Sequence, residues 1–102
     1  MKIYANKKSG ILWLKLVGEL DEYSAKTARR EADEYAESFV GGKKAVLDLS
    51  EVSFMDSTGI GFLIGRYKKF NRLGIPLYIS SPSANTDKIL MMSGVYTLLP
   101  KL

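Results

Sequence analysis

KAVLDLSEVSFMDSTGIGFLIGRYKKFNRLG, residues 44–74, changes its apolar period from that of a strand to that of a helix. Lys44-Ala45-Val46-Leu47-Asp48-Leu49 reads as a short, buried β-strand. A helix follows over about Thr58 to Leu73, where Ile60, Leu63, Ile64 and Tyr67 repeat at i, i+3, i+4 and i+7. Gly74 stops it. Asp56 and Ser57 fall where the loop after the strand becomes the helix.

The same alternation continues in both directions. Towards the N-terminus, Ile3 to Lys7 and Ile11 to Val17 read as two strands joined by a turn at Ser9-Gly10. The second is so continuously apolar that cover on both faces is expected. Gly18-Glu19-Leu20-Asp21 breaks it, and a helix starts near Tyr23-Ser24. Ala25, Ala28, Ala32, Tyr35, Ala36 and Phe39 give that helix its apolar face, and Gly41-Gly42 ends it. Towards the C-terminus, Pro76 to Ile79 is a strand, and Ser81-Pro82-Ser83 leads into a helix over Ala84 to Ser93, closed by Gly94. Thr97-Leu98-Leu99 supplies a last short strand. The order β-β-α-β-α-β-α-β predicts one α/β domain over residues 1–102, a mixed, mostly parallel sheet of about five strands with three helices packed on a face.

Composition narrows the function. The 102 residues contain neither histidine nor cysteine, the side chains best suited to acid/base and nucleophilic work near neutral pH. Without them the prior moves away from an enzyme, and no metal or cofactor is expected. A cysteine-free chain also points to a reduced, cytoplasmic setting. The start, Met1-Lys2-Ile3-Tyr4-Ala5-Asn6, lacks the apolar stretch of a secretory signal, and no apolar run approaches the roughly 20 residues of a membrane span. Fifteen Lys+Arg against 11 Asp+Glu is an ordinary balance for a soluble domain. The densest basic stretch, Arg66 to Arg72, carries its aromatic Tyr67 on the core side of the helix, so direct nucleic-acid binding is not expected.

The candidate site is the helix start. On position alone Ser57 reads as an N-cap, its oxygen accepting from a first-turn N–H. Gly59, Gly61 and Gly65 in one helix each cost about 1 kcal/mol relative to alanine, which predicts a close approach by something else. Phe62 lies about 200° around the wheel from Ile60 and is expected to face solvent, with Gly65, Arg66 and Lys69 on the same side. That reads either as a protein-docking surface or as a stray surface aromatic. Gly59-x-Gly61-x-x-x-Gly65 has the wrong last spacing for a dinucleotide fingerprint and begins too far after its strand. Ser57 as a hydrolase nucleophile lacks a histidine to take its proton. An acceptor role suits it better: another protein's active site would supply ATP, metal and base, and a phosphate would add about −1.5 to −2 charges.

At these residues the sequence resembles the STAS family of anti-sigma factor antagonists, in its sporulation branch. Gly18-Glu19-Leu20-Asp21, Val46-Leu47-Asp48-Leu49, Ser53-Phe54-Met55-Asp56-Ser57-Thr58-Gly59, Gly65-Arg66-Tyr67-Lys68 and Met92-Ser93-Gly94 carry the resemblance over nearly the whole chain. It implies partner switching. The unphosphorylated protein would bind an anti-sigma factor that is also a serine kinase (SpoIIAB-like), releasing a sigma factor. Phosphorylation of Ser57 would end the complex, and a separate serine phosphatase (SpoIIE-like) would reset it. Asp21 and Asp56 match acidic positions near the phosphoacceptor. Partner contacts are thus expected from Asp21, Asp56, Ser57, Thr58, Gly59, Gly61, Phe62, Gly65 and Arg66. The alternative is a STAS scaffold subunit in a stress-signalling or transporter assembly. Two departures stand out: relatives usually add a final helix beyond the position of Leu102, and Thr58 replaces a common small serine.

Overall fold

A computed structural model describes all residues, Met1–Leu102. Strands β1 (Lys2–Lys8) and β2 (Ile11–Leu20) form an antiparallel hairpin. Its two-residue turn places both Ser9 and Gly10 at positive φ, 55° and 78°. That backbone matches the twist of the flanking strands. Helix α1 (Glu22–Glu37) carries the chain to β3 (Lys44–Met55), parallel to β2, and helix α2 (Ser57–Arg72) carries it to β4 (Leu77–Ser80), parallel to β3. Helix α3 (Ala84–Ser93) and a 3-10 turn over Val95–Thr97 complete the molecule. The sheet order is β1-β2-β3-β4, so every strand lies beside its neighbour in sequence.

Alternation along the strands selects the core. Leu12, Leu14, Leu16 and Leu20 of β2 and Ala45, Leu47 and Leu49 of β3 point to one face and are fully buried. The helices meet them with Ala28, Ala32 and Ala36 from α1, Leu63 and Phe70 from α2, and Leu90 from α3. The alanine stripe, spaced i, i+4 and i+8, keeps α1 thin on its inner side and lets it lie close. Each helix starts at a residue whose side chain satisfies a first-turn N–H: Asp21, Asp56 and Ser83.

Four expectations need correction. The sheet has four strands, not about five. Gly94 takes the left-handed φ of 78°, and Val95–Thr97 closes into a turn held by the Thr97 hydroxyl on the Gly94 carbonyl (2.8 Å) and by Tyr96 on Asp87. These local bonds win over sheet pairing, and only an isolated bridge joins Ile79 to Lys101. Strand β3 does not stop at Leu49 but runs on to Met55, with no loop before α2. It does so because β2 passes through Gly18 (φ 113°) to Leu20 and offers its backbone as a partner. Finally, β2 is covered on one face only. Its other side, Ile11, Trp13, Lys15 and Val17, is half-buried. There Val46 is sealed between its register partners Trp13 and Tyr78, with the Lys44 ammonium 5.4 Å from the Tyr78 ring centre.

Candidate functional site

Leu20 and Met55 are register partners at the carboxyl ends of parallel strands. The next residues, Asp21 and Asp56, therefore emerge side by side, on backbones about 5 Å apart, and each caps a helix. Asp21 and Ser24 form a capping box: the Ser24 N–H donates to Asp21 Oδ1 at 2.9 Å, and the Asp21 N–H donates to Ser24 Oγ at 3.2 Å. The Ser24 hydroxyl also donates to the Glu19 carbonyl at 2.7 Å. The backbone and hydroxyl bonds from Ser24 hold the Asp21 carboxyl below its ordinary range.

On α2 the cap is Asp56, whose Oδ1 accepts from the Thr58 N–H at 2.9 Å. Ser57 is the first helical residue and is exposed. Asp56, not Ser57, therefore holds the helix end, and Ser57 is exposed beside it.

The rest of the predicted surface lies elsewhere than expected. Phe62 is 5% exposed and Arg66 is 4% exposed, so neither faces solvent. The buried residues of α2 are Gly59, Phe62, Leu63, Arg66 and Phe70, again at i, i+3, i+4, i+7 and i+11 but shifted one residue from the predicted stripe. Ile60, Ile64 and Tyr67 are only partly buried and flank the core. The reason is α1, which lies along α2 and covers the side that would otherwise meet water. Arg66 Nε pairs with Asp33 Oδ1 of α1 at 2.7 Å, and its guanidinium carbon sits 5.2 Å from the Phe62 ring centre. Burial lowers the Arg66 pKa against the opposing pull of Asp33, and Arg29 adds like-charge repulsion. Lys69, also expected on the outer side, reaches Glu37 at 3.3 Å.

The three glycines divide into two roles. A Cβ on Gly59 would stand 2.3 Å from Met55 Cγ, so this glycine lets the helix start pack on the end of β3. A Cβ on Gly61 or Gly65 would meet nothing within 4 Å. Those two positions open a groove of about 480 Å³ between the helices, lined by Ala25, Lys26 and Arg29 of α1 and by Thr58, Gly61, Phe62, Gly65 and Arg66 of α2.

Asp21, Asp56, Ser57 and Thr58 thus share one edge of the molecule, whereas Phe62 and Arg66 form the floor between two helices. Two aromatics missed by sequence reasoning stand at that edge, Tyr23 at 96% and Phe54 at 47% exposure. Their signal lies in the strand and helix ends: Tyr23 falls off the alanine stripe of α1, and Phe54 precedes the inward Met55. Lys26 and Arg29 were missed because a wheel drawn for one helix cannot show which helix lies beside it.

The STAS domain family model matches residues 2–101. This chain belongs to the STAS domain family. An anti-sigma F factor antagonist of Paenibacillus polymyxa is 31% identical over 100 residues, 98% of this chain and 85% of that protein. The anti-sigma factor antagonist SpoIIAA in its unphosphorylated form superposes with a TM-score of 0.77 at 20% identity, over 99% of this chain and 88% of that one. The Bacillus cell fate determinant SpoIIAA in the phosphorylated form gives 0.70 at 20% identity, over 99% and 91%. The STAS fold found in SpoIIAA is therefore the fold of this domain. No helix of this STAS domain is long and apolar enough to cross a membrane.

Proposed function

We propose that this STAS domain is an anti-sigma factor antagonist that docks on its partner through the edge where α1 and α2 begin, and that phosphorylation of Ser57 ends the complex. The observation that carries the reading is the division of labour at the start of α2. Asp56 caps the helix, which leaves Ser57 exposed and its hydroxyl available without loss of the cap. Modification there leaves the fold in place. A helix N-terminus tolerates the added −1.5 to −2 charges, while Asp56 beside it and Asp21 on the neighbouring helix start make the edge strongly anionic. A partner surface matched to the unmodified edge then meets like-charge repulsion. The likeness to proteins named as anti-sigma factor antagonists supports the partner class, an anti-sigma factor, and the kinase follows as the source of the phosphate.

The test uses an anti-sigma F-type kinase with ATP. Intact mass and fragment spectra are expected to place one phosphate on Ser57 and none on the Ser57→Ala protein, which should still bind in calorimetry. Label confined to Thr58, or unchanged affinity after stoichiometric phosphorylation of Ser57, would overturn the reading.

A further inference from the structure

Tyr23 is the second residue of α1 and is 96% exposed, more than any other large apolar side chain of the molecule. Its direction follows from its place. Side chains on a helix lean towards the N-terminus and normally rest on the preceding turn. A residue in the first turn has no preceding turn to rest on, so the Tyr23 ring overhangs the helix start. The backbone beneath it is tied down on both sides. The Ser24 N–H donates to Asp21 Oδ1 (2.9 Å), the Asp21 N–H to Ser24 Oγ (3.2 Å), and the Ser24 hydroxyl to the Glu19 carbonyl (2.7 Å). A tyrosine has only two side-chain torsions, so on a fixed backbone it loses little freedom when a partner covers it.

The charge around the ring is one-sided. Glu19, Asp21, Glu22 and Asp56 stand at the same edge, and none of them forms a salt bridge. Lys26, a turn further along α1, lines the groove between the helices instead. The chain as a whole carries a net charge of +4, so this edge opposes the sign of the rest. A surface complementary to it holds an apolar recess for the ring and cations around that recess.

The geometry points to Tyr23 as the anchor of the docking edge: its ring enters an apolar pocket on the partner protein, and the rim of that pocket carries lysine or arginine opposite Glu19, Glu22 and Asp56. This inference rests on the function proposed above and adds to it the residue that selects the partner. Binding energy concentrates on a few aromatic anchors, and tyrosine is among the commonest of them. The exposed carboxylates around it steer the encounter, an effect that salt screens.

Calorimetry and Ser57 phosphorylation kinetics with the anti-sigma F-type kinase test it. Wild-type protein that neither binds nor accepts label at Ser57 would overturn the proposed function itself. With a wild type that binds, Tyr23→Ala should bind at least about thirtyfold more weakly. It should raise KM for Ser57 phosphorylation and leave kcat within about twofold, the pattern of lost binding with intact chemistry. Its melting temperature should not fall, because the ring is exposed and alanine is the better helix former. Tyr23→Phe keeps the ring and should bind within about fivefold of wild type. Tyr4→Ala removes an exposed aromatic from the face of the sheet opposite the helices and should bind as wild type. Glu19→Gln/Glu22→Gln should slow association several-fold at low salt and flatten its dependence on sodium chloride. Wild-type affinity in Tyr23→Ala, or an equal loss in Tyr23→Phe or Tyr4→Ala, would overturn the anchor while the docking edge itself stands. Association of the wild type that ignores salt would overturn the cationic rim.

Discussion

Phe62 shows how much one neighbour changes the meaning of a residue. Its place on the wheel, opposite Ile60, is a surface position for a helix packed on a sheet alone. With α1 alongside, the same direction is interior, and the ring lies under the Arg66 guanidinium. Phe62→Ala should therefore cost about 3 kcal/mol or more in urea denaturation, the range for emptying a buried aromatic site. A change below about 1 kcal/mol would mean that the ring is not packed as described. Ser57 is the opposite case. Its neighbour Asp56 already serves the helix end, so the residue proposed as phosphoacceptor is not needed as a cap.

At the scale of elements, the pair α1 and α2 is held by alanines, a buried ring and ion pairs of unequal standing. Lys69 with Glu37 lies nearer the surface and contributes at most about 1 kcal/mol. Arg66 with Asp33 is different, because the arginine is interior. Removing one partner leaves a buried charge without compensation, whereas replacing both by apolar side chains removes the desolvation cost as well. Asp33→Ala is expected to lose about 3 kcal/mol, and Asp33→Leu with Arg66→Met to recover most of that loss. Thermal and urea unfolding of the single and double variants check this. A double variant no more stable than Asp33→Ala would show that the pair provides net stability of its own.

For the whole molecule, one continuous core of 22 buried residues draws on β2, β3 and β4, all three helices and the 3-10 turn, with Ile3 of β1 packed against it. No element buries its apolar face alone, so unfolding should be cooperative. Trp13 reports from the open face of the sheet and far-UV circular dichroism reports mainly from the helices packed on the other. Their urea midpoints should coincide. Separate midpoints would reveal that the hairpin or α3 opens by itself.

Local chemistry made much of this legible in advance. The hairpin at Ser9-Gly10, the alanine face of α1, the stops at Gly74 and Gly94 and the order of elements all depend on residues close in sequence, where period and turn preference act directly. The helix-start serine was legible for the same reason, although its role as acceptor and its partners belong to the proposed function. Other features depend on contacts between distant segments. Strand β3 runs to Met55 because β2 offers hydrogen bonds beyond Gly18, and the last strand gives way to a turn because Tyr96 and Thr97 find nearer partners. Only tertiary structure sets α1 against α2, which buries Phe62 and Arg66 and turns Gly61 and Gly65 into the wall of a cationic groove. A helical period specifies that one stripe is buried; it carries no information about whether a second stripe will meet another helix or water.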